Sequence, residues 1–289
     1  MKKILTLIVT ALLLVTACFG LTACGEKTQT KFGKELVKLD SQLDTLSSLQ
    51  KDEIDVSIID SVMAGYYTTQ GAYKDEIMII EDLVLAQEEY GIAAKKGNNA
   101  LMSKINQALI AIQNDGYAEV AEQFGLTLSK AINANTVDPY AGATDGSWDA
   151  IVTSGTIVIG YTIFAPIAYF EETTFTGFDT ELAKEVIAYI NAQDGTNIEI
   201  DFQEIDWDSK EALLANGTID LVWNGMTITE SRAQEMCISV PYLYNNQVAV
   251  IRKADAAKYD TIAELVINLN QAIIGVESGS AGEDVVVLK

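Results

Sequence analysis

The sequence predicts an α/β fold divided into two domains, and three observations carry that reading. Two separate stretches, KEALLANGTIDLVWNG (Lys210 to Gly225) and DTLSSLQKDEIDVSIID (Asp44 to Asp60), each run from a short helical pattern through a turn into an Ile-Asp pair. Each pair, Ile219-Asp220 and Ile54-Asp55, opens an apolar run of strand length, as a helix feeding a buried parallel strand does. The third observation is size: 289 residues suit one two-lobed protein or two small domains. Ligands of open α/β sheets bind beyond the carboxyl ends of the strands, which here are residues 224–227 and Asp60.

In chain order, the opening MKKILTLIVTALLLVTACFGLTACG places Lys2 and Lys3 before an apolar run and reads as a secretory signal, too short to anchor a mature protein in a membrane. LTAC ending at Cys24, followed by Gly25, looks like a lipoprotein cleavage box, with VTAC at Cys18 as a competing match. Residues 1–24 are therefore a lipoprotein signal peptide with Cys24 as the lipidated residue, and 25–31 a polar tether. Residues 40–50 have the spacing of a short amphipathic helix through Leu43, Leu46 and Leu49. Asn98 or Asn99 is placed to cap a longer helix that sets Leu101, Ile105, Leu109 and Ile112 on one face, with Gly116 as its stop. A further short helix covers 117–124 and ends at Gly125.

Residues 132–147 lack periodicity and are rich in Asn, Asp, Gly and Thr, which marks a linker. Phe178 to Ile190 reads as another amphipathic helix through Leu182, Val186 and Ile190. Asp208 and Glu211 have capping-box spacing before DSKEALLA, which Gly217 closes.

Composition removes several function classes. The formal charge is −22, and loss of Lys2 and Lys3 takes it to −24. Nucleic acid binding needs clustered cations and is disfavoured. An acidic surface suits an exported protein that must not adhere to anionic surfaces. The chain has no histidine and three cysteines, so no metal site and no cofactor are expected. With Cys18 removed and Cys24 lipidated, Cys237 has no disulfide partner, and its neighbours Met236 and Ile238 favour a buried, inert thiol.

Several motifs resemble one family, the solute-binding proteins of polar amino acid ABC importers. They are FTGFDTELAKEV (Phe175 to Val186), IDWDSKEALLANGTIDLVWNGMTITESRAQ (Ile205 to Gln234), SVPYLYNNQVAV (Ser239 to Val250), GVESGSAGED (Gly275 to Asp284), IDVSIIDSVMAGYY (Ile54 to Tyr67) and EEYGIAAKKGNNALMSKINQAL (Glu88 to Leu109). The resemblance implies a two-lobed, type II periplasmic-binding-protein-like fold with a ligand cleft between the lobes. In the family's usual order FTGFD to GSAGED comes first and IIDS and EEYGIA follow. Here that order is inverted, which reads as a circular permutation of one domain pair; a tandem gene that lost its outer halves and a truncated record are the alternatives. On the permuted reading, lobe 1 comprises 92–247, with 132–147 joining the ancestral termini, and lobe 2 comprises 32–90 plus 248–289.

The resemblance also implies a site. A free amino acid offers a carboxylate and an ammonium on one carbon, and Arg232 of the TITESR motif suits the carboxylate because guanidinium binds it bidentately and stays charged. Thr227 matches a carboxylate contact and the Gly225 backbone an ammonium contact. Asp60 matches the acid that receives the ammonium; on its own it would read as a turn or helix cap. Ser280 and Ala281 open a helix whose first amides lack intrahelical acceptors. Phe164 matches the aromatic that lies over the ligand, and Trp223 is either a second wall or core, whereas Trp207 reads as packing.

Tyr161 stands where many relatives carry an acid, which weakens a claim for a basic ligand side chain. Glu277 stands where some relatives have Lys or Gln and could face an amide or a cation. The function implied is an extracytoplasmic lipoprotein, anchored to the outer face of the bacterial cytoplasmic membrane by lipid alone. It would be a monomer that captures an amino acid and delivers it to ABC permease subunits. The alternatives are a cyclohexadienyl or arogenate dehydratase-like enzyme on the same fold, with Glu277 or Asp60 as general acid, and an amino acid sensor without a permease.

Overall fold

The computed structural model describes residues 29–70 and 73–288. The leader, Cys18, Cys24 and the first part of the tether lie outside the described residues. The elements run β1 (Glu35–Leu39), α1 (Gln42–Gln50), β2 (Val56–Asp60), α2 (Ser61–Thr69), β3 (Ile77–Lys95), α3 (Asn99–Ala111), α4 (Gly116–Gln123) and α5 (Ser147–Ser154). They continue with β4 (Thr156–Tyr161), β5 (Tyr169–Glu171), β6 (Thr174–Thr176), α6 (Phe178–Asp194), β7 (Glu199–Glu204), α7 (Lys210–Asn216), β8 (Leu221–Thr227) and α8 (Glu230–Glu235). The last are β9 (Met236–Ile238), β10 (Leu243–Arg252), α9 (Ile262–Gln271), β11 (Ile273–Glu277) and α10 (Ala281–Val286). The chain divides into two compact units: one holds the residues up to Ala86 together with those from Asn246 onward, the other is the continuous stretch Gln87–Asn245. Both boundaries fall inside strands, β3 and β10.

In the first unit β11 lies parallel to both β1 and β2, and β10 runs antiparallel to β2 with Gln247 opposite Asp60. β2 is buried along its whole length. Its alternate residues feed two cores: Val56 and Ile58 pack with Ala249, Ile274, Val276 and Val286, while Ile59 packs with Leu46, Leu49, Val248 and Val250. Burial on both faces is why this strand reads as a continuous apolar run. The end of the expected tether is not loose. Lys31 donates its amide to Val286 O at 2.7 Å, Leu288 donates to Gln29 O at 2.9 Å, and Thr30 bridges Val287, because the two backbones satisfy each other.

In the second unit β8 and β7 flank β4 in parallel, and β3 runs antiparallel to β8 with Tyr90 opposite Thr227. A core of Ile205, Trp207, Leu214, Ile219, Val222, Met226 and Ile238 fills one face, while α3 packs on α5 and α6, and α4 on α6.

Three local expectations need correction. α3 begins at Asn99, but its cap residue Asn98 makes no side-chain cap bond; the first amides are served from the expected linker, Ala100 N by Asp145 at 2.8 Å and Leu101 N by Ser147 at 2.9 Å. Asp138 adds bonds from Ser103 Oγ at 2.5 Å and Asn106 Nδ2 at 2.8 Å, so residues 132–147 are aperiodic because they follow α3, not because they are free of it. α3 ends at Ala111 and Gly116 starts α4; a side chain at Gly116 would meet the Glu185 carboxylate 2.8 Å away. Residues Trp207–Ser209 form a 3-10 turn and α7 starts at Lys210 with no side-chain cap. The Asp208–Glu211 box does not form because Trp207 turns into the core and Lys210 Nζ bonds its carbonyl at 3.1 Å.

Candidate functional site

Unit 2 gathers Tyr161, Phe164, Trp223, Gly225, Thr227 and Arg232 around the ends of β4 and β8. The Phe164 loop is clamped to the start of α6: Phe164 N donates to Ala168 O at 2.7 Å, Phe178 N to Pro166 O at 2.8 Å and Asp179 N to Ile167 O at 2.9 Å. Gly177, at φ 132°, sits against the Ile167 carbonyl with no room for a Cβ, which explains the glycine of FTGFD. Phe164 then reaches Gly225: a Cβ there would stand 2.7 Å from the Phe164 ring and 3.1 Å from that of Tyr90. Gly225 also has φ +60°, a region glycine enters without penalty.

What holds Gly225 in that conformation is Asp179, a residue not anticipated from sequence. The Gly225 amide and the Tyr242 hydroxyl both donate to Asp179 Oδ2 at 2.7 Å. Asp179 is 1 % exposed, and Oδ1 has no partner among the described residues. Burial pushes its carboxyl up to about 7, against the two hydrogen bonds that pull it down. Tyr242 is in turn fixed by its own backbone, which donates to Tyr90 O at 2.9 Å and accepts from the Tyr117 hydroxyl at 2.5 Å. Burial raises both phenols, Tyr242 most. Since the Gly225 amide is occupied, the backbone group it can offer an ammonium is its carbonyl.

Arg232 lies in α8, whose Thr229 cap accepts the Arg232 amide at 3.1 Å. Arg232 is 8 % exposed, and its guanidinium donates to Thr227 O at 2.8 Å and stands 6.0 Å from the centre of the Trp207 ring. Lys210 Nζ lies over the same ring at 4.6 Å, and burial together with the Arg232 charge lowers the Lys210 ammonium. Trp207 is therefore packing that also props the arginine. The Thr227 hydroxyl donates to Glu88 at 3.0 Å. Trp223 is 2 % exposed and packs edge-on against Tyr242, so it lies in the interior of the unit. Tyr161 closes an aromatic cluster with Phe175 and Phe202.

Unit 1 carries the others. Asp60 takes the cap position of α2, yet its side chain makes no cap bond. Instead Gln42 and Gln247 each donate a side-chain amide proton to it, the latter at 3.1 Å, and Gln42 Oε1 accepts the Asp60 amide at 3.0 Å. The two glutamine side chains orient the carboxylate. Glu277 ends β11 in register with Leu39 and is buried. Ser280 caps the six-residue α10 through Glu283 N at 3.1 Å and gives its own amide to Glu277 O at 3.3 Å; Ala281 is the first helical residue. Cys237 is a buried free thiol that burial pushes up to about 11.

Residues 157–279 match the bacterial extracellular solute-binding proteins, family 3. The match covers less than half of the chain and is a similarity over this stretch. It runs from Ile157 in β4 through all of β11 and contains Tyr161, Phe164, Trp223, Gly225, Thr227 and Arg232. A probable ABC transporter extracellular-binding protein of Bacillus subtilis is 24 % identical over 147 residues, 49 % of this chain and 48 % of that protein. A probable histidine-binding protein of Neisseria gonorrhoeae is 34 % identical over 107 residues, 37 % of this chain and 36 % of that one. The chain thus spans about half the length, or less, of these curated relatives. A solved ABC uptake transporter substrate-binding protein of Streptococcus pneumoniae with bound histidine is 36 % identical, covering 32 % of this chain and 36 % of that one, with a TM-score of 0.28.

Four contributors escaped the sequence reading: Asp179, Glu88, Gln42 and Gln247. Asp179 was visible as the acid inside FTGFD. Glu88 stands two before Tyr90 in EEYGIA and so shares its strand face. The two glutamines had no local signal.

Proposed function

We propose that this protein is an extracytoplasmic binding protein that captures a free amino acid and hands it to an ABC importer. The observation that carries the reading is the arrangement of Arg232, Thr227, Gly225 and Phe164 within the family-matched segment. It combines a buried arginine, the backbone of a left-handed glycine and an aromatic wall. The resemblance assigns the ligand carboxylate to Arg232 and Thr227 and the ammonium to Asp60, with Ser280, Ala281 and Glu277 as further ligand contacts.

The segment order is read as a circular permutation, Cys24 as a lipid anchor to the outer face of the cytoplasmic membrane, and the working form as a monomer. It is a binder and not an enzyme: the purified protein should retain amino acids and leave prephenate and arogenate unchanged.

The test is thermal unfolding of the chain from Gly25 onward with each common amino acid in turn. Ligand at about 100 times its dissociation constant adds about 2.7 kcal/mol, a midpoint rise of several degrees at this size. A single transition raised by one or a few amino acids supports the reading; a single transition that none of them moves refutes it.

A further inference from the structure

The proposed carboxylate subsite already holds a carboxylate. β3 and β8 pair antiparallel with Tyr90 opposite Thr227, which puts Glu88 diagonal to Thr227 on the same face. The Ile228 amide donates to Glu89 O at 2.8 Å, so the backbone on either side of both residues is fixed. Across that register the Thr227 hydroxyl donates to Glu88 Oε2 at 3.0 Å, and Asn245 Nδ2 donates to the same oxygen at 3.0 Å. A hydroxyl has one proton to give. The one that Thr227 would offer a ligand carboxylate is spent on Glu88.

We infer that Glu88 is a resident competitor of the ligand carboxylate, and that it sets how tightly and how selectively the site binds. This rests on the amino acid reading above. For a ligand carboxylate to take the Thr227 hydroxyl, that proton must leave an ionised acceptor, and hydrogen bonds to charged groups are the stronger kind. The incoming carboxylate also approaches a like charge held nearby. Both effects act at the carboxylate end. Glu88 therefore weakens binding of an intact amino acid, while a ligand whose carboxylate is replaced by an uncharged amide escapes the like-charge effect and loses less to it.

The test measures dissociation constants by calorimetry for L-histidine, L-arginine and any further amino acid that raises the unfolding midpoint, together with the matching amino acid amides. Wild type, Glu88→Gln, Thr227→Val and the double variant are compared. Glu88→Gln keeps an acceptor for Thr227 and Asn245 and removes the charge. It is expected to bind the amino acid roughly tenfold more tightly, with a smaller gain for the amide and a smaller gain in the Thr227→Val background. A gain undiminished by Thr227→Val, or affinity unchanged or weakened by Glu88→Gln, overturns the inference and leaves the amino acid reading standing. If neither wild type nor Glu88→Gln binds any amino acid, both fall together.

Discussion

Asp60 in unit 1 and Asp179 in unit 2 are acids of similar burial, 4 % and 1 % exposed, and their neighbours treat them in opposite ways. Both stand where a helix begins. Asp60 receives side-chain amide protons from Gln42 and Gln247 on different oxygens. Asp179 receives the Tyr242 phenol and the Gly225 amide on one oxygen and leaves the other without a partner among the described residues. Asp60 is the acid proposed to meet the ligand ammonium, whereas Asp179 is used inside the unit to hold a backbone turn. Burial by itself does not say which task a carboxylate performs; the identity and placement of its donors do.

That contrast can be broken most directly by ligand binding. Asp60→Asn and Arg232→Ala should each weaken amino acid affinity by at least about 2 kcal/mol, the scale for removing one partner of a buried charge pair. Asp179→Asn, which retains an acceptor for Gly225 and Tyr242, should change affinity far less. Equal losses at Asp60 and Asp179 would erase the distinction drawn here.

The next largest effect is on stability against pH. The Asp179 carboxyl is raised from 3.8 to about 7 in the folded protein, so between those values the folded state binds more protons than the unfolded one. Its contribution therefore falls as pH rises through this window, by up to about 1.4 kcal/mol per pH unit. Urea unfolding at pH 5 and pH 8 should show Asp179→Asn gaining on wild type at the higher pH; parallel curves would mean the acid titrates normally.

Unit 1 offers a counterpart in Arg252, which reaches Asp255 at 2.7 Å, Asp52 at 3.0 Å and the carbonyls of Leu49 and Ile54 at 2.8 and 2.7 Å. Its worth lies in the two carbonyls and Asp255, because Asp52 is exposed. Arg252→Ala should cost about 1 to 2 kcal/mol of unfolding free energy and leave ligand contacts in unit 2 untouched. The smallest effect, about 1 kcal/mol, belongs to Asp145→Ala, which uncaps α3; a neutral result would return residues 132–147 to the status of an idle connector.

Legibility followed the range of the interactions. α1, α6 and the strands after the two Ile-Asp pairs were readable because their periodicity is local, and Gly125 and Gly217 stand at their helix ends with φ +70° and +77°. The α3 cap was missed because its acceptor lies 45 residues away, on Asp145. The 208–211 cap failed because burial of Trp207 outweighed a local side-chain bond. For the candidate site, the motifs brought out Arg232, Thr227 and Gly225, while Glu88, 139 residues from Thr227, and the glutamines around Asp60 depend on strand register that no local pattern encodes.

The distance between Asp60 and Gln247, 187 residues along the chain, has a consequence for synthesis. At about 5 to 20 residues per second, β2 leaves the ribosome roughly 10 to 40 seconds before the strand that covers its edge. During that interval unit 2, one continuous stretch, can be completed, while VSIID waits with an open apolar edge of the kind that pairs with the wrong neighbour. The nascent chain needs shielding there, as it does at β1, whose partner β11 is made later still.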